Sequence, residues 1–571
     1  MSATSKTTNR LFALRNRYGA AQSCEKLRLL QTLKTSSSIS ARQLKKLHAS
    51  LCFIRAFPDS RNHHRLAAGL LERFSGLIAK LPAATRHRLD DNGIAGTLVH
   101  YRYDYDSALW LASHYADDVE IHWDDMDDET RLDELLAKLV DSEEEDFYAS
   151  GHVSCREWLA LPANGRSDFA WLWSQLKPQK RYSRFWAGLY DAADIPVIWK
   201  LGNARASRSR NVFTGSRVVA RTNGLRRPPL SSKQEIQKPL TAIKRLSHER
   251  GREVIDVAMA SLATMHRETL HFEHANPDEV YLADAGEGVS IAVMGLLPGQ
   301  RLPLECTIGY LILANGVPVG YGGGSALFRQ LNTGLNIFSE YRGSEAAFLW
   351  LQVLRVFHQM FACERFIINP YQFGQDNREA LSSGAFWFHY RLGFRPVEKE
   401  VRQLARSEWL KIKSRKPYQT PARILRQLAG CDMHLALAGA RNKNLFREEW
   451  IECCSLAATQ TLASQASPNK RAAKMRVANK LLDDLWPGNR KSWAKSEYEA
   501  FRMMAPVVAT IDFSDWSKQE KQSLLKLMHA KGGRFELDFA QQFCEHEKFF
   551  RALQKLGRQF EKFSPCLQLT A

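Results

Sequence analysis

The chain has no long apolar run. Its most hydrophobic stretch, "AAFLWLQVLRVF", is interrupted by Gln352 and Arg355, well short of the roughly 18 to 20 residues that a bilayer span needs. A soluble protein without a membrane partner is therefore expected. Cysteine is present but unpatterned. Ten are scattered with no CxxC pair, and the adjacent Cys453-Cys454 suits neither a zinc finger nor an ordinary disulfide. This excludes the common structural zinc sites, predicts no metal, and reads as free thiols in a reducing cytoplasm. No internal repeat or low-complexity tract is present.

Acidic residues are missing from two stretches. Residues 1–24 contain Ser, Thr, Arg and Lys but no carboxylate. That composition suits a basic solvated arm or a transit peptide; no secretory apolar segment follows it. Residues 195–234 also lack acid and carry many arginines, whereas 104–146 are strongly acidic. With a net charge of +19 over 571 residues, the surface is patched, and the excess would attract a polyanion or a small anionic ligand.

A chain of this length exceeds one core and predicts about three domains. Residues 1–200 read as mainly helical, since "ARQLKKLHASLCFIRAF" and "HHRLAAGLLERFSGLIAKL" repeat apolar residues every three and four positions. Residues 201–235, rich in Arg, Gly and Ser and holding Pro228-Pro229, read as a basic linker or loop. Residues 236–415 change pattern. "EVYLAD", "VSIAVMGL", "CTIGYLILA", "VPVGYGGGSALF" and "TGLNIFS" read as strands, with Asn315-Gly316 as a type I′ hairpin turn. A helix at 345–361, a strand at "RFIINPY", a helix at 378–392 and a strand near "FRPVEKEV" complete an α/β unit. Residues 416–571 read as a helical C-terminal domain.

Residues 305–397 resemble the catalytic half of the GNAT-type N-acetyltransferases, and the likeness extends at most back to the helix beginning near 252. It rests on the succession of hairpin, third strand, Arg-Gly turn, long helix, strand and helix. Its most recognisable segment is His389-Tyr390-Arg391-Leu392-Gly393-Phe394, which is similar to the aromatic, basic, Leu, Gly, Phe ending common in that family. Larger bacterial proteins that carry this module are also similar, but they suggest no substrate.

The resemblance implies an α/β acyltransferase domain, a mixed twisted sheet flanked by helices, that moves an acetyl or other acyl group from coenzyme A to an amine on a small molecule or protein. Phe338, Arg342, Gly343, Ser344, Ala346 and Ala347 would form the strand end and turn whose amides hold the diphosphate. The physics is sound, because free N–H groups and the helix dipole favour an anion. Ser382 falls, by spacing, where many members place an Asn against the cofactor arm. His389 stands where the family usually has a Tyr that protonates the departing thiolate, and Tyr390 lies about 100° further round the helix. Glu340 is a candidate base. The loop "NPYQFGQDN" supplies Tyr371, Gln372, Asp376 and Asn377 for the acceptor.

One departure bears on all of this. Glu345 occupies the place of the family's central glycine. A carboxylate in a first helical turn gains roughly 0.3 to 1 kcal/mol from the dipole. About 4 Å from a phosphate charge it would cost from about 1 to about 4 kcal/mol. Repulsion therefore prevails if the side chain faces the diphosphate, and the amides stay available if it faces away. Two further readings stand beside acyl transfer: an inactive scaffold whose basic linker binds nucleic acid or another polyanion, and a transferase that uses aminoacyl-tRNA.

Other signals are weak. "GYGGGSALF" lacks the Lys of a P-loop and the spacing of a nucleophile elbow. "HWDDMDDE" lacks the ligand spacing of a calcium loop, and "NHHR" at 62–65 has no partner ligands in sight.

Overall fold

The computed structural model describes all residues except 1–2, 36–38, 178–182, 216, 344, 415–416, 438, 441–444, 486–492 and 561–571. It is a mixed α/β protein with helical N- and C-terminal regions around a large mixed sheet. Among the described residues, no helix is long and apolar enough to cross a membrane. None of the nine described cysteines is in a disulfide.

The N-terminal region is not purely helical. The strands β1 (Leu98–Arg102), β2 (Val119–Ile121) and β3 (Pro196–Lys200) form a small antiparallel sheet in the order β1-β3-β2. That sheet and the helices between its strands enclose their own core, which includes Trp173, Trp199 and Tyr190. The helices before residue 80 belong instead to the main core. The basic arm expected at the N-terminus is a helix, Ala3–Leu14, whose Leu11 and Leu14 are buried. Lysine and arginine stems leave room for an apolar stripe on such a helix, so an acid-free composition did not exclude packing.

The central sheet contains β4 (Ala242–Arg245), β5 (Ala275–Gly286), β6 (Val289–Leu296), β7 (Cys306–Ala314), β8 (Val317–Leu327), β9 (Gln330–Thr333), β10 (Asn336–Ile337), β11 (Arg365–Ile368), β12 (Arg395–Pro396) and β13 (Met433–Ala436). The order is β12-β13-β11-β9-β8-β7-β6-β5-β4, with β10 paired to β8. Asn315 and Gly316 adopt positive φ of 48° and 77° and close the β7–β8 hairpin, as a type I′ turn requires. The glycines of β8 admit neighbours that a side chain would displace. A Cβ on Gly323 would lie 1.9 Å from the His271 ring, and one on Gly322 2.3 Å from the Tyr310 hydroxyl.

Among the described residues, the one parallel pair in this sheet involves β11. It joins β9 over Arg365↔Gln330 to Ile367↔Asn332. Beyond that point the strand is interrupted at 334–335 and β10 continues along β8 in the same register without β11, so β10 and the chain after β11 part. The long helix Ala346–Phe361 connects the two strands. Trp350, Leu351, Val353, Leu354 and Phe357 are fully buried in it, as a helix apolar nearly all round should be.

Three sequence expectations change here. The 378–392 helix is two, Arg378–Ser383 and Ala385–Arg391, separated at Gly384 with φ of 67°. The strand near "FRPVEKEV" is only β12, because Lys399–Ser414 is helical. The segment read as a linker or loop is a strap packed between the N-terminal helices and the sheet. Ser207 and Ser209 are fully buried, and Asn211 donates to Val257 O at 2.9 Å. Ser209 Oγ lies 3.0 Å from His48 Nε2, and Ser209 O accepts from Arg55 at 3.1 Å.

Candidate functional site

Where β10 and the chain after β11 separate, a cavity of about 280 Å³ opens. Six residues singled out in the sequence line it: Arg342, Gly343, Ala346, Gln372, Asn377 and His389. Gly343 has φ of 76° and open space around its Cβ position. It reverses the chain so that the start of the Ala346–Phe361 helix meets the cavity at Ala346. Asn377 accepts from Ala380 N at 2.9 Å, fixing the start of the next helix. The Gln372 side chain covers Gly334; a Cβ on that glycine would lie 2.4 Å from Gln372 Cδ.

Glu345 does not face this cavity. Its carboxylate is fully buried on the far side of the turn and takes a bidentate pair from Arg221 of the strap. Nε donates to Oε1 and Nη2 to Oε2, both at 3.0 Å, and the Arg226 main-chain N–H donates to Oε1 at 2.7 Å. Arg221 also donates to Glu287 O in the β5–β6 turn, and its own N–H donates to Pro58 O at 2.7 Å. Helix start, strap, hairpin turn and N-terminal helices thus converge on one ion pair. The carboxylate makes no capping bond to its own helix.

The expected catalytic groups fare differently. Glu340 lies outside the cavity lining, held by Arg208 at 2.5 Å, and Arg208 in turn donates to Asn92 O at 2.8 Å. Burial alone would raise the Glu340 carboxyl, but the charge of Arg208 and its hydrogen bond hold it below the usual carboxylate range. A paired, weakened carboxylate directed at the strap is a poor base for an amine in the cavity, so that expectation is corrected. The neighbouring Tyr341 explains the orientation: it packs on Phe53 and Phe57 at ring distances of 6.5 and 6.2 Å, pulling the turn toward the N-terminal helices.

His389 lines the cavity but is buried, edge-on to Phe394 at 5.7 Å and to Trp350 at 6.1 Å. Burial pushes its imidazole down to about 3. Its Nδ1 is buried with no partner among the described residues. The ring is therefore neutral near pH 7, and the charged imidazolium expected as thiolate donor is not what this surrounding favours. Tyr390 is turned away, stacked on Phe386 and set against Trp387 and Trp409, with the Arg395 guanidinium 4.1 Å above its ring.

The remaining expectations divide similarly. Phe338 is buried against Tyr321 at 5.5 Å and supports the strand end without lining the cavity. Ala347 packs into the core. Ser344 lies outside the described residues. Ser382 is exposed and donates to Glu379 O at 2.9 Å, while the next residue, Ser383, lines the cavity. A helix break at Gly384 shifted the register that spacing had assumed. Tyr371 is half exposed, and Asp376 is an exposed turn residue with φ of 53°; neither lines the cavity.

Sequence reading missed Glu379, a carboxylate at the cavity mouth. It accepts from Arg342 at 2.5 Å, which lowers it, and Arg267 approaches it at 4.0 Å. Nothing in its exposed helical position announced this, since its partner is distant in sequence. Most arginines of the strap are also committed internally: Arg208 to Glu340, Arg210 to Glu72, Arg221 to Glu345 and Arg226 to Glu287. That leaves the strap a weaker polyanion surface than its composition suggested. Among the described residues, one trio could hold a metal: Asp106, Glu273 and His274. The pair Asp106–His274 at 3.2 Å and the hydroxyl of Ser107, 3.1 Å from Glu273, already satisfy it.

Comparison with protein-family models, curated proteins and solved structures gives no match to this chain.

Proposed function

We propose that the central domain binds a coenzyme A thioester and passes its acyl group to an amine, as the resemblance to GNAT-type acetyltransferases implies. The observation that carries this reading is the opening between β10 and the chain after β11, bounded by the start of the long helix. Its support is that β9 and β11 pair in parallel only as far as Ile367↔Asn332, and the cavity lies beyond that point.

The cavity is at the small end of ligand sites, which run from about 300 Å³ upward. It suits the thin arm of the thioester, with the diphosphate outside against Gly343 and the helix start. There the free N–H groups of a first turn and the dipole favour an anion. Glu345 is turned away and neutralised by Arg221. Arg342 can exchange its exposed partner Glu379 for a phosphate, since surface pairs hold by only about 0 to 1 kcal/mol. The thioester supplies the activated acyl group. Main-chain N–H groups of the separated strand β10 would polarise its carbonyl, and a neutral His389 orients by hydrogen bonding. As the C–N bond forms the C–S bond breaks, and in this reading the amine's proton passes through water to the departing thiolate, because Glu340 is engaged elsewhere and His389 is neutral.

That engagement also favours a second reading, in which the site binds the thioester without turnover. Thermal denaturation with acetyl-CoA decides binding: stabilisation that Ala346→Trp abolishes is expected, and no response in the unaltered protein overturns both readings. Free thiol release on adding a panel of amines then separates transfer from binding alone.

A further inference from the structure

An apolar recess away from this site lies between the loop after β6 and the helices Glu449–Ala463, Lys470–Leu485 and Lys495–Val508. Its volume is about 830 Å³, within the roughly 300 to 1,000 Å³ typical of small-molecule sites. Leu304, Cys454 and Val507 form buried parts of its wall, and Leu302 stands half exposed at its edge.

Four cations share the same recess: Lys470, Arg471, Lys474 and Arg502. Among the described residues none of them forms an ion pair. The single carboxylate of the lining, Glu305, accepts from Ser325 Oγ at 2.7 Å instead. Among the described residues Arg502 Nε is buried without a hydrogen-bond partner, and its guanidinium lies 5.7 Å from the Tyr498 ring. Lys474 is held below its ordinary value by burial, then by the charges of Arg502 and Lys470.

Stability does not explain this arrangement. Lys470, Arg471 and Lys474 open a helix that has no acid in its first turn, where cations oppose the dipole. Like charges gathered beside an apolar wall repel one another, and an anion brought to them would relieve both the repulsion and the orphaned donor. A polyanion or free phosphate would meet the charges and leave the wall wet. A ligand with an anionic head and a hydrocarbon tail satisfies both halves.

We propose that this groove binds a single long-chain fatty acid, its carboxylate among Lys470, Lys474 and Arg502 and its chain along the wall between Leu302, Ile451 and Met503. This site is separate from the thioester cavity and does not rest on the acyl-transfer reading.

Calorimetric titration of the purified full chain tests it, with palmitate below its aggregation concentration, and with hexadecyltrimethylammonium and inorganic phosphate as controls. Saturable palmitate binding is expected, weakening about fourfold per methylene removed. Lys474→Gln should weaken it at least about tenfold through loss of a charge-assisted bond, and Ala458→Trp should block it by filling the wall. Equal binding of the cationic amphiphile, displacement of palmitate by phosphate at similar concentration, or no palmitate binding each overturns the proposal. Should one variant fail to fold, unchanged palmitate binding in the other also overturns it, and the controls on the unaltered protein need no variant.

Discussion

Two helix starts in this molecule gather charge with opposite outcomes. At the Ala346–Phe361 helix, a carboxylate that sequence reading set against a phosphate is buried and matched by Arg221 on the far side. At the Lys470–Leu485 helix, three cations and Arg502 crowd an apolar groove with no carboxylate of the described residues engaged. The first is a closed electrostatic contact that holds the fold together. The second is an open one, and openness is what a ligand site needs. Net charge and local composition do not separate the two, because the difference lies in partners supplied from elsewhere in the chain.

The most disruptive way to test this contrast is Arg221→Ala, which strands the Glu345 carboxylate in a dry position. Loss of about 3 to 5 kcal/mol in urea unfolding is expected, with part recovered in Arg221→Ala/Glu345→Ala. A change under 1 kcal/mol would mean that the pair is not the clamp described. Next in size is acid sensitivity at the cavity. His389 is depressed from 6.5 to about 3 in the folded protein. A group lowered on folding contributes stability that is complete above the unfolded value and is lost as pH falls from about 6.5 toward 3. His389→Phe should therefore remove about 2 kcal/mol of the stability difference between pH 7 and pH 5, read from denaturation midpoints. Equal acid sensitivity in both proteins would place the charged ring in contact with water.

A smaller effect is expected from Arg342→Ala. Its pair with Glu379 is exposed, so stability should move by less than about 1 kcal/mol while acetyl-CoA binding weakens. Unchanged acetyl-CoA affinity would remove Arg342 from the site. Smallest of all is Lys474→Gln, which relieves repulsion and should leave stability within about 0.5 kcal/mol or raise it. A loss above 1 kcal/mol would show that Lys474 has a structural partner after all.

Much of the sheet was legible because its signals are local. β6 and β7 coincide with "VSIAVMGL" and "CTIGYLILA", and Asn315-Gly316 set the hairpin. β4 and β13 escaped, since "AIKR" and "MHLA" are short and acquire strand character only by pairing with β5 and β11. Part of the candidate site was legible too: Arg342, Gly343 and Ala346 of the Arg-Gly turn and Gln372 and Asn377 of the loop after β11 line the cavity. What failed was orientation. Glu340 and Glu345 sit on a turn whose facing is decided by Tyr341 packing on Phe53 and Phe57 and by arginines more than a hundred residues earlier. His389 was found by register, but its neutrality comes from burial, which its sequence neighbours do not announce.

Calorimetric titration of acetyl-CoA into the unaltered protein and into Glu345→Gln addresses the central claim most directly. The account predicts saturable binding in both, with affinities within about threefold, because the carboxylate faces the strap rather than the diphosphate. Absence of binding in the unaltered protein, or binding that appears only once Glu345 loses its charge, would contradict it.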